Sequence, residues 1–171
     1  MDRFCRGMGS AYRGSTSWWI ILTNKRVIPN VKTLSFSDIQ AYPFVKAARK
    51  SQISDKTFNT TSLRWVMEKF YPFFVKKLSE LGVSVWDNKW DCEDFTSFFK
   101  SMAQVCHRNG NGTAEGLAIG EIYYHQDGAS GENHAINVIF AESGPIFFEP
   151  QQGLPVKLSD SEMRSIYYFK I

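Results

Sequence analysis

Asn109-Gly110 divides this chain into two parts that cannot share one kind of secondary structure. Before it the apolar residues fall at helical spacing; after it they alternate or run on as in strands. Leu63, Val66, Met67, Phe70, Phe74, Leu78 and Leu81 mark one helical face, and Gly82 ends it. Pro72 interrupts that face, which predicts a kinked helix, or two helices with Pro72 in the first turn of the second. Phe95, Phe98, Phe99, Met102 and Val105 mark a second helix that starts at Asp91 or just after it. Residues 115–125, 133–141 and 145–149 read as successive strands, with Ser143-Gly144 as a turn, and residues 165–171 as a last strand. Ser159 and Glu162 have capping-box spacing for a short helical turn between them. Helices first and an antiparallel meander second predict an α+β fold, its helices packed on an antiparallel sheet.

The front of the chain is less regular. Residues 1–16 read as a flexible basic arm carrying Arg3, Arg6 and Arg13, and residues 17–171 as one domain. Residues 17–28 are dense in bulky and β-branched side chains and predict a strand; a short helix is expected around Phe44 and Val45. At 43% hydrophobic and 15% aromatic residues the composition is that of a globular chain. A net charge of only +3 gives no reason to expect a nucleic-acid partner. The apolar run Trp18–Leu22 is too short for a membrane span or a signal-peptide core, so a cytoplasmic or otherwise soluble protein is expected. Cys5, Cys92 and Cys106 include no CxxC pair, which argues against a disulfide framework and a structural zinc site alike. A zinc site from Cys92, Cys106 and a histidine is the weakest option. Asn59-Thr60-Thr61 and Asn111-Gly112-Thr113 match the glycosylation pattern, which matters only on a secretory route.

Chemistry concentrates in residues 86–99, WDNKWDCEDFTSFF, where Cys92 stands among Asp91, Glu93 and Asp94 at a helix start. Unpaired N–H groups and the helix dipole favour a thiolate there, while the acids oppose it. Of the three histidines, His107 lies at the far end of the same helix, more than about 20 Å away. His125 ends a strand beside a glycine-rich stretch, and His134 begins the next one. Glu149, at the end of the strand after that, is the candidate to orient His134. A turn at 142–144 pairs residues whose numbers sum to about 286, which sets residue 152 opposite His134 and Glu149 about three positions off. On these residues alone a bulge or twist is needed, Gln151 also lies near, and Cys92 as an inert buried thiol stays open.

The segments WDCEDF, HAINV and FFEPQ resemble the papain-like and transglutaminase-like cysteine enzymes, closest to the C-terminal proteolytic domain of the Marasmius oreades agglutinin family. The resemblance covers about residues 84–170. It implies a cysteine peptidase or related thiol acyl-transfer enzyme acting on an amide bond of a protein or peptide substrate. Cys92 would be the nucleophile, His134 the base, Glu149 the orienting acid, Gln151 a supporting residue and Trp86 the oxyanion-side tryptophan, favoured over Trp90 because Trp90 can pack on the helix. It also implies activation by calcium, with Asp94 the first candidate ligand, although no cofactor is required by the sequence itself. No membrane partner is expected, and a homodimer is allowed. The competing reading is a catalytically inactive binding or structural module of the same fold.

Overall fold

The computed structural model describes residues 32–110, 112–128 and 131–171. The expected basic arm, the strand at 17–28, Cys5 and Asn111 lie outside the described residues.

In chain order the elements are β1 (Thr33–Ser35), α1 (Phe36–Gln40), α2 (Pro43–Ala47), β2 (Lys50–Gln52) and β3 (Thr57–Asn59). Then come α3 (Leu63–Trp65), a π turn (Val66–Phe70), α4 (Tyr71–Leu81) and α5 (Cys92–Arg108). The second half holds β4 (Gly116–Leu117), β5 (Ile119–His125), β6 (Asn133–Ala141), β7 (Gly144–Glu149), β8 (Leu154–Val156), α6 (Asp160–Ser165) and β9 (Tyr168–Lys170).

Pro72 does not break its helix. The Tyr71 N–H reaches back five residues to the Val66 carbonyl, so the turn just before the proline is widened. Proline brings no N–H and its ring crowds the carbonyl four residues earlier, and a π turn relieves that crowding without ending the helix. Gly82 ends it in the left-handed conformation at φ 72°, its N–H bonded to the Leu78 and Ser79 carbonyls. The helical run therefore stays in one piece and presents Trp65, Phe70 and Phe74 to the sheet.

The strands form two sheets. A six-stranded sheet has the order β2-β9-β5-β6-β7-β8, and a three-stranded sheet the order β1-β3-β4. β2 runs parallel to β9 and β3 parallel to β4, while the other pairs are antiparallel. One core joins α3, α4 and α5 to the large sheet through Trp65, Phe70, Phe74, Phe95, Phe99 and Phe148. A second joins α1 and α2 to it through Ile39, Phe44, Ile136, Phe140 and Phe169.

The expected helices-then-meander α+β fold is therefore corrected to a mixed α/β arrangement with two sheets. Three short strands precede the long helices, and two strand pairs are parallel. The reason is physical. β1, β2 and β3 are three residues each and read TLS, KSQ and TFN, too short for an alternating pattern to show. Their pairing is set by tertiary contacts, not by their own propensity.

Phe99 carries much of the first core: its ring meets Phe70 at 4.8 Å, Phe74 at 5.1 Å and Phe148 at 5.3 Å between centroids. Phe99→Ala is expected to cost about 3–5 kcal/mol in urea unfolding. Leu81→Ala, at a side chain that is 61% exposed, should stay within about 0.5 kcal/mol of wild type. A small loss for Phe99→Ala would mean that this face is not the main core.

Candidate functional site

The site is built around the first turn of α5. Asp91 is its N-cap: the Asp91 carboxylate accepts the Glu93 N–H at 2.9 Å, and Asp94 reaches back to accept the Asp91 N–H at 3.2 Å. Two of the three acids flanking Cys92 are thus occupied in holding the helix end. Glu93 is the third, and burial, reinforced by the charges of Asp91 and Asp94, pushes its carboxyl above the usual range.

Buried polar bonds fix where this helix starts over the sheet. The Thr96 hydroxyl donates to the Ala135 carbonyl at 3.0 Å. The Asn137 amide donates to the Thr96 carbonyl at 3.0 Å and to the Gly120 carbonyl at 3.2 Å. Cys92, half-buried at the helix start, is thereby held beside the start of β6, where His134 stands.

His134 Nε2 donates to Glu149 Oε2 at 2.7 Å. A hydrogen bond also joins its ring to Cys92, which leaves Nδ1 for the sulfur. Burial works to lower the imidazole pKa, but the bonds to Cys92 and Glu149 and the carboxylate charge outweigh it and hold it up at about 9. Tyr124 stands edge-on to His134 at 5.7 Å, its hydroxyl pushed up to about 12 by burial first and then by Glu162 and Glu149. The cluster is therefore a charged imidazole between a sulfur and a carboxylate, able to hold and polarise a bound group.

No bulge is needed to bring Glu149 to His134. Asn137 pairs with Phe148 and Ala141 with Gly144, so paired numbers sum to 285. That one-residue difference from the expected register puts Glu149 two positions off instead of three. With a side-chain period of two, it lands on the same face as His134.

The remaining candidates separate. Gln151 contributes its backbone: its N–H donates to Glu149 Oε1 at 3.0 Å and its carbonyl accepts from the Tyr71 hydroxyl at 3.4 Å. Gly153, at φ 72°, completes this turn where a Cβ would collide with the Tyr71 ring. Trp86 is 53% exposed. Trp90 packs edge-on against Phe95 and Phe98 at 5.9 and 5.8 Å, as its place beside the helix predicts. His107 is buried far from the cluster, its Nε2 3.0 Å from Asn59 Oδ1. The Asp94 carboxylate serves the cap, and no group of three His, Cys, Asp or Glu side chains that could hold a metal is found among the described residues.

Residues the sequence reading passed over line a cavity of about 610 Å³ at the adjoining sheet end: Arg49, Lys50, His125, Asn133, Tyr167 and Tyr168. Tyr167 links the cavity to the helix start, since burial and then the nearby Glu93 and Cys92 raise its pKa. The β5–β6 and β5–β9 pairings bring His125, Asn133 and Tyr168 to one end of the sheet, and the parallel pairing of β2 with β9, which no local spacing announces, sets Lys50 beside Tyr168.

No family model and no curated protein matches the chain. Solved structures do. One, described as a PSL1a-E64 complex, has a TM-score of 0.62 at 20% identity over 81% of this chain and 51% of that one. Another is the Polyporus squamosus lectin bound to the human-type influenza-binding epitope Neu5Acα2-6Galβ1-4GlcNAc, with a TM-score of 0.59 at 20% identity over 81% of this chain and 49% of that one. The chain spans about half the length of these structures, and likeness at this identity shows the fold.

These comparisons correct the expectation of a papain-like or transglutaminase-like cysteine peptidase. One of the structures that share the fold is described as a lectin bound to a sialylated epitope, and likeness at 20% identity carries the fold and not a peptidase activity. The attributes hydrolase, thiol protease and catalytic triad fall with that expectation, because a fold and three suitable side chains do not by themselves establish a reaction. As for location, no helix among the described residues is long and apolar enough to cross a membrane.

The raised pKa of His134 sets a pH dependence of stability. With an ordinary value of 6.5 and a folded value of about 9, the bound proton stabilises the fold fully below pH 6.5, and this is lost as pH rises to about 9. After allowance for solvent screening about 1 kcal/mol remains, or about 2–4 °C in Tm. Wild type should lose that much more than His134→Gln between pH 6.5 and 9; parallel pH curves would contradict the ion pair. Added calcium or EDTA should leave Tm unchanged, and a rise of several degrees with calcium would restore a metal site.

Proposed function

We propose that this chain is a ligand-binding domain with a glycan as its ligand, held in the cleft beside the start of α5. The observation that carries this is the cavity of about 610 Å³, walled by Tyr167, Tyr168 and His125 with the Asn133 amide at its edge. Its size lies in the range of small-ligand sites, and tyrosine and histidine rings supply flat faces for a sugar ring while amides and hydroxyls meet its hydroxyl groups. The sialylated epitope named for the lectin that shares the fold supports the choice of ligand class. In this reading Cys92, His134 and Glu149 form a polar, charged group next to the cavity that orients the ligand, with Gln151 bracing Glu149 through its backbone and Trp86 offering an exposed ring near the helix start.

Calorimetric titration of the chain with a panel of oligosaccharides tests this. Binding in the micromolar to millimolar range is expected, and Tyr167→Ala should weaken it about ten-fold through loss of a stacking face. A denatured casein mixture incubated alongside should remain uncleaved. Absence of binding across the panel would overturn the reading, and so would Cys92-dependent cleavage of the casein.

A further inference from the structure

Arg49 and Lys50 are exposed neighbours at the rim of the cavity. Among the described residues neither has a carboxylate within ion-pairing distance, whereas Arg64, Lys76, Lys77 and Lys100 each do. The backbone holds Lys50 in place: its N–H donates to the Tyr167 carbonyl at 3.2 Å, and β2 pairs residue by residue with β9. The Lys50 ammonium lies 5.7 Å over the Tyr168 ring, so its stem is laid along the cavity wall. Tyr167 in turn packs against His125 at 5.1 Å between centroids, the rings tilted by 37°, giving an aromatic wall beside two cations without a carboxylate partner.

We propose that the cavity selects a carboxylate-bearing, acidic saccharide, a refinement that rests on the glycan-binding reading above. Arg49 and Lys50 hold the carboxylate, the guanidinium through paired N–H donors that match its two oxygens. The Tyr167–His125 wall takes the apolar face of the ring, and Asn133 meets ring hydroxyls. The acidic end points to Arg49 and Lys50, and the uncharged sugars lead toward α5. A neutral glycan would leave the two cations unmatched and gain only the stacking.

The test is calorimetry of the whole chain with the trisaccharide Neu5Acα2-6Galβ1-4GlcNAc and with the neutral disaccharide Galβ1-4GlcNAc. The acidic sugar should bind at least about ten-fold more tightly at low salt, a margin that shrinks as salt is added. The double variant Arg49→Ala/Lys50→Ala, at two exposed positions, should lose that margin, so that the two sugars bind it equally, with an unchanged Tm as the check on folding. Equal affinity of wild type for the two sugars, or a margin that survives in the double variant, overturns the selection for acid and leaves the glycan-binding reading standing. Failure of both sugars to bind overturns both.

Discussion

The Asn137 side chain sets the geometry on which the site depends. It lies fully buried on β6, and its amide donates to one carbonyl on α5 and one on β5. With the Thr96 hydroxyl donating to β6 in return, helix and sheet are joined by directional bonds across the layer between them. Hydrophobic packing of Phe95 and Phe99 would tolerate a helix that slides along its axis; carbonyls 3.0 and 3.2 Å from one amide would not. The start of α5 is therefore fixed against the start of β6, and Cys92 meets His134 as a consequence.

Charge at that junction is arranged with similar economy. Asp91 and Asp94 face each other across the helix cap and satisfy backbone donors, which removes them as free neighbours of the sulfur. Glu149 is buried and bound twice, by the His134 ring and by the Gln151 N–H, so the imidazole keeps its proton well above neutrality. A second positive group lies at the sheet edge, where Arg49, just before β2, and Lys50, its first residue, line the cavity.

Much of this was legible in the residues. The helix at Cys92, the break at Asn109-Gly110, the turn at Ser143-Gly144 and the cap at Ser159 all rest on local rules, and each stands where its residues put it. His134 and Glu149 were recognisable by position, yet a one-residue error in register hid how directly they meet. The cavity was not legible. Its residues come from the β2 edge, the ends of β5 and β6, and β9, and strands that read KSQ and YFK carry no signal that they run parallel to one another. Function was the hardest to read, since a resemblance carried by Cys92, His134 and Glu149 pointed to peptidase chemistry, while a solved structure that shares the fold is that of a lectin.

The central claim is that the cleft between the start of α5 and the β2–β9 edge is a ligand site. Amide chemical-shift mapping of the ¹⁵N-labelled chain with Neu5Acα2-6Galβ1-4GlcNAc tests it most directly. The account predicts saturable shifts concentrated at Arg49, Lys50, His125, Asn133, Tyr167 and Tyr168, fading across β6 and α5. Saturable shifts centred on another face of the molecule, or an unchanged spectrum at millimolar sugar, would contradict it.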